Sequence, residues 1–127
     1  MRIGVLPGYS PTFEELLEKP ILSEALPAPR SFKKKLLMEA TAYFPGFASN
    51  GKWAGTTAMG YEARPGRVAV DPRIIPLGSR LFVEGYGYCV AVDTGGAIKG
   101  NRIDLCYNTS EECFEFGRRE VYVYVLD

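Results

Sequence analysis

Histidine is absent from this 127-residue sequence, which removes the commonest metal ligand and the side chain best suited to general-base work near neutral pH. Acid–base chemistry therefore falls to carboxylates, lysine or tyrosine. Net charge is absent too: 15 Lys and Arg balance 15 Asp and Glu. No basic field draws the chain onto phosphate backbones, so nucleic acid is not an expected partner. Cysteine is scarce, and Cys89, Cys106 and Cys113 are odd in number with no CxxC pair. That pattern fits neither a zinc knuckle nor a dense disulfide framework. Cys106 and Cys113 are close enough in sequence to pair, and buried free thiols are the alternative. No run approaches the roughly 20 apolar residues of a membrane span. The opening MRIGVLPGYS is too short an apolar stretch for a signal peptide.

What is present is enough apolar residue, 46% of the chain, to build one core but not two separate ones at this length. Residues 1–38 carry Pro7, Pro11, Pro20, Pro27 and Pro29 and end near the lysine run Lys33 to Lys35. They are expected to form an arm or linker. Within it, Ser10 or Thr12 can cap a short helix through FEELLEK, with Phe13, Leu16 and Leu17 on one side. Residues 39–127 have a different rhythm. From Met38 onward, MEATAYF, RVAVD, RLFVE, YCVAVD, RIDLCY and EVYVYVL read as six short strands. Turn signals separate them at Asp71-Pro72, Pro76-Leu77-Gly78 and Gly85-Tyr86-Gly87. In the last run Val121, Val123 and Val125 alternate with Tyr122 and Tyr124, predicting one buried face and one partly wet aromatic face. SEECFEFG predicts a short helix ended by Gly117. Without long helices between strands a doubly wound α/β sheet is excluded, and a closed β-barrel fits better.

Three aspartates carry the chemistry. Asp71, Asp93 and Asp104 each lie at or beside the end of an apolar run, VAVD, VAVD and RID, so each can project from a strand terminus toward one cleft. Each has a plainer reading as a turn or cap residue. If two or three of them share a cleft, repulsion raises the pKa of at least one and keeps it protonated near neutral pH. A protonated carboxyl is the proton donor that glycosidic cleavage needs. The glycine pair in Asp93-Thr94-Gly95-Gly96 lets backbone N–H groups approach a ligand or a carboxylate. The stretch lacks the Gly-Lys-Ser/Thr ending of a nucleotide-binding loop. No DxDxDG calcium spacing occurs, and the Asp-Thr-Gly of an aspartic-protease dyad occurs once rather than twice.

Several ordered motifs also carry a resemblance: ATAY at 40–43, GTTAMG at 55–60, VAVDP at 68–72, IPLG at 75–78, GYG at 85–87, DTGGAIKGNRID at 93–104 and FGRR at 116–119. Through them the chain resembles the 3D, or three-aspartate, domain of bacterial stationary-phase survival proteins, over about Ala40 to Leu126. The resemblance implies a mainly β, six-stranded double-psi β-barrel with one or two short helices. This fold is shared with the catalytic barrel of membrane-bound lytic transglycosylase A. It also implies peptidoglycan glycan strands as partner, an extracellular or cell-wall location, and no metal or organic cofactor. The implied reaction is cleavage of the β-1,4 bond from N-acetylmuramic acid to N-acetylglucosamine, leaving a 1,6-anhydro end. By motif match Asp104 becomes the general acid and later base, Asp93 keeps it protonated and oriented, and Asp71 completes the cluster. Thr57, Tyr43, Lys99, Gly95 and Gly96 become substrate-binding candidates. Trp53 is a candidate to stack a sugar ring. A non-catalytic wall-binding module is the alternative reading, because a fold does not guarantee an activity.

Overall fold

A computed structural model describes residues 11–46 and 55–127; Trp53 lies outside the described residues. The elements in chain order are α1 (Phe13–Glu18), β1 (Ile21–Leu22), β2 (Lys34–Tyr43), β3 (Arg67–Val70), β4 (Arg80–Val83), β5 (Gly87–Asp93), β6 (Arg102–Cys106), α2 (Ser110–Phe116) and β7 (Arg119–Val125). All six strands expected from the sequence are present. They close into a barrel, because the order β5-β3-β6-β2-β7-β4 is completed by pairing of β4 with β5. The barrel is mixed: β2 runs parallel to β6 and β3 parallel to β5, while the other pairings are antiparallel. The protein is thus mainly β, a closed six-stranded barrel with two short helices.

Alternation at the two-residue strand period fills the barrel interior. Met38 and Ala40 of β2, Val68 and Val70 of β3, Ile103 and Leu105 of β6 and Val121, Val123 and Val125 of β7 point inward and are buried. The opposite parity points outward. On that side a second buried cluster forms, which a single-core reading of the sequence does not anticipate. Leu16 and Leu17 of α1 cover Tyr88, Val90 and Val92 of β5 and Phe82 of β4. Tyr122 remains partly exposed, whereas Tyr124 is buried by edge contacts with Phe32 and Phe82. The aromatic face expected to be wet is therefore wet only at Tyr122, because the segment before β2 folds back over its neighbour.

Residues before β2 pack on the barrel. Thr12 caps α1, accepting from Glu15 N while the Glu15 carboxylate accepts from Thr12 N. β1 pairs with β5, and two glycines make room for this approach. A Cβ at Gly87 would run into the Ile21 carbonyl, and a Cβ at Gly66 would meet the Pro20 ring. β2 itself begins at Lys34, inside the span read as an arm. The second helix matches its sequence signal: Thr109 and Glu112 form a capping box, and Gly117 ends the helix at φ 66°. Cys89, Cys106 and Cys113 are all free thiols.

Candidate functional site

Four barrel strands bring four residues into one row. Thr41 of β2 pairs with Asp104 of β6, Asp104 pairs with Ala69 of β3, and Ala69 pairs with Asp93 of β5. In-register neighbours present their side chains on the same face. These side chains lie on the outer wall, since the residues flanking them, Ala40, Val68, Val70, Ile103 and Leu105, fill the interior. Ala69 is the small residue between the two aspartates. Asp93 owes its place to a register shift between Val68 and Ala69. Val68 pairs with Ala91, so an unbroken ladder would set Val92 opposite Ala69; the bulge advances the partner by one and substitutes a carboxylate for an apolar side chain.

Each aspartate is then set by its partners. Asp104 is half-buried, and its Oδ1 accepts from the Thr41 hydroxyl at 3.0 Å. Burial pushes its pKa up, the Thr41 hydrogen bond pulls it down, and the charge of Asp93 adds to the rise. The net direction is upward. Asp93 is oriented by the loop that follows it and by a turn from another part of the chain: its Oδ1 accepts from Thr94 N and from Ala58 N, both at 2.9 Å. Met59 N also donates to Val92 O at 3.0 Å, which seats residues 57–60 against the end of β5.

Asp71 belongs to a different arrangement. It is 1% exposed, and its carboxylate accepts from Arg73 N, Arg73 Nε, Arg73 Nη2 and Gly100 N at 2.8–3.1 Å. The Arg73 guanidinium and these backbone donors hold it well below the usual carboxylate range. The structure therefore brings Asp93 and Asp104 together in one row and places Asp71 as the anchor of the loop from Thr94 to Gly100. In that loop Ile98 N donates to Gly95 O, and a side chain at Gly95 would meet Ile98 Cγ1 at 2.9 Å. Gly96 faces open space and Lys99 is exposed.

The remaining candidates lie along the same wall. Tyr43, two residues beyond Thr41, donates its hydroxyl to Arg67 O at 3.5 Å and hydrogen-bonds the Cys106 thiol. Burial raises the pKa of Tyr43 far above its usual value and that of Cys106 to about 12, so both stay protonated and neither is a base. Thr57 is buried, and its hydroxyl accepts from Tyr61 N at 3.1 Å within its own turn. Arg67 is 4% exposed. Its Nη1 donates to Glu62 O and its Nη2 to Leu17 O, tying α1 to the turn that orients Asp93. Thr41 and Arg67 were not singled out from the sequence. Thr41 was within reach, because it precedes Tyr43 by the strand period; Arg67 gave no signal separate from the apolar run it opens.

Among the described residues, no three His, Cys, Asp or Glu side chains are grouped as a metal site. The arrangement sets one carboxyl, pushed toward its protonated form, in the same row as a second aspartate.

Residues 67–127 match the 3D domain. The family recognised in the motifs is thus found by an independent comparison, and it encloses both aspartates of the row and Asp71. This chain is 44% identical over 98 residues to the cell wall-binding protein YocH of Bacillus subtilis, covering 74% of this chain and 33% of that protein. This chain therefore spans about a third of that relative's length. Among solved structures, MltA from E. coli aligns at 27% identity over 57% of this chain and 27% of that chain, with a TM-score of 0.49. A mutant expansin of Clavibacter michiganensis aligns at 18% identity over 74% of this chain and 51% of that chain, with a TM-score of 0.53. The expansin likeness is one of fold.

Proposed function

We propose that this protein is a peptidoglycan lytic transglycosylase in which Asp104 is the general acid and then the general base. The observation that carries the reading is the Asp104 carboxyl itself: half-buried, in one row with Asp93 across the intervening Ala69, and pushed toward its protonated form. The neutral acid gives its proton to the oxygen of the β-1,4 bond as that bond breaks at C1 of the muramic acid residue. The C6 hydroxyl of the same residue closes onto C1, and the Asp104 carboxylate takes the hydroxyl proton. Protons balance, no water enters, and the product is a 1,6-anhydro end. Because the nucleophile is intramolecular, proximity replaces the second carboxylate that a retaining hydrolase uses. Asp93 raises the affinity of Asp104 for its proton, and Thr41 orients the acid. The motif resemblance and a relative named for cell-wall binding support the polymer as substrate and the cell wall as the location.

That relative's name also favours a second reading, a wall-binding module without chemistry. One experiment separates the two: mass spectrometry of fragments released from purified peptidoglycan by the wild type and by Asp104→Asn. Anhydro ends from the wild type alone support the transglycosylase. Reducing ends would mean hydrolysis, and no release by either protein, with glycan still bound, would leave the binding module.

A further inference from the structure

A cavity of about 310 Å³ opens at the end of the barrel where β3 and β5 begin and β6 finishes, between the segment after β1 and the start of α2. That volume lies at the lower end of the range for small-molecule sites. One wall is aromatic. Tyr86 and Tyr107 meet edge to face with ring centroids 5.3 Å apart. Tyr86 is fixed in place, since its hydroxyl donates to Cys106 O at 2.6 Å and accepts from Gly66 N at 2.8 Å.

Leu22, Pro65 and Gly85 add apolar surface, and the polar part of the lining is Ser23, Glu24, Asn108 and Glu112. Glu112 commits Oε1 to Asn108 N, Thr109 N and the Thr109 hydroxyl, and its Oε2 remains without a protein donor among the described residues. Glu24 likewise has no hydrogen bond or ion pair there. Both carboxylates line the same cavity as the Tyr107 ring. The cation acting on that ring is Arg119, whose guanidinium is committed to the Glu115 and Phe116 carbonyls and stacks 4.2 Å from the Phe116 ring centroid. Two negative charges and an aromatic ring, with the local cation engaged elsewhere, suit an ammonium group better than a neutral hydroxyl.

The cavity is also within reach of the acid. Cys106 lines it and stands two residues along β6 from Asp104, roughly 7 Å at the strand rise. A tripeptide hanging from a sugar at Asp104 spans about 10 Å.

We propose that this cavity receives the side-chain ammonium of a diamino acid, of lysine or diaminopimelate type, in a peptide carried by the glycan. The chain then acts on peptide-substituted strands. This deepens the cell-wall reading above and rests on it.

The test is calorimetric titration of the full chain with a muramyl tripeptide ending in L-lysine, and with the same compound acetylated at Nε. The free amine binds roughly tenfold more tightly, the combined effect of a partly enclosed ion pair and a cation–π contact. In Glu24→Gln, an exposed position whose substitution leaves the thermal midpoint in place, the preference shrinks several-fold. Equal affinity of the two probes for the wild type overturns the proposal, and so does an undiminished preference in Glu24→Gln. Release of anhydro ends from purified peptidoglycan that carries its peptides is measured in parallel. Cleavage without amine preference would sink only the cavity assignment, whereas amine preference without cleavage would sink only the transglycosylase.

Discussion

Asp71, just past the end of β3, and Asp104, in the middle of its partner β6, are the same residue type, and the fold drives their carboxyls in opposite directions. The direction does not follow burial. Asp71 is 1% exposed and Asp104 is only half-buried, yet it is Asp71 that stays ionised. Among the described residues, four hydrogen bonds from Arg73 and Gly100 reach the Asp71 carboxylate; one, from Thr41, reaches Asp104. A carboxylate taken out of water keeps its charge where donors replace the water and loses it where they do not. The supply of donors thus makes Asp71 a structural anchor and pushes Asp104 toward its protonated form, as the proposed acid requires.

Replacing each aspartate by asparagine breaks the comparison most directly. Asp104→Asn removes the only proton the proposed reaction uses, and the release of anhydro ends falls by about 10²–10⁴-fold or more. Asp71→Asn removes the partner of Arg73 and weakens the tether to Gly100, so the loop from Thr94 to Gly100 loses its position. The expected loss is smaller, about tenfold to a hundredfold, the scale of misplacement rather than of a missing acid. Rates on purified peptidoglycan check both. Equal losses would mean that the charge of Asp71 takes part in proton transfer and that the division of labour is wrong.

Stability against pH sharpens the same contrast at a smaller scale. The unfolded chain protonates Asp71 near the ordinary aspartate value of about 3.9, while the folded chain resists. The contribution of Asp71 is therefore complete above that value and is lost as pH falls below it. Asp104 has the opposite sign: its folded pKa is raised, so the native state holds a proton the unfolded chain has released, and stability declines as pH rises through that window. Asp104→Asn should accordingly raise the thermal midpoint at neutral pH, and Asp71→Asn should flatten the acid limb of unfolding. Scans of midpoint against pH test both. A lower midpoint for Asp104→Asn at neutral pH would show that its carboxyl is stabilised in the charged form.

Much of this architecture was legible in the residues because it is local. Period-two runs named the six strands, Gly117 ended the second helix, and Asp93 stood at the end of its strand, whereas Asp104, expected at a strand terminus, lies in the middle of β6. What was not legible is pairing between strands distant in sequence. Nothing in VAVD announces that a shift between Val68 and Ala69 brings Asp93 into the row of Asp104, or that Arg73, two residues beyond Asp71, folds back onto it. The prolines before Lys33 suggested an arm, but Leu16, Leu17 and Phe32 cover the outer face of β4, β5 and β7. That cover is visible only when the second face of the closed sheet is seen to be apolar as well.

The finest test acts through Thr41, which touches the acid without carrying a proton in the reaction. Its hydroxyl donates to Asp104 Oδ1, a bond worth most to the charged form, and it holds the pKa of Asp104 below the value that burial and Asp93 would otherwise set. Thr41→Val keeps the β-branched shape and deletes the donor. The acid then keeps its proton to higher pH, so the basic limb of the rate profile moves upward. The rate on the acid side, where Asp104 is already protonated, changes little, and a merely structural defect would instead lower the whole profile without moving the limb. Thr41→Ser, which restores the donor, should return the limb to its wild-type position. A limb that stays fixed in Thr41→Val would mean that the group titrating in the rate is not Asp104.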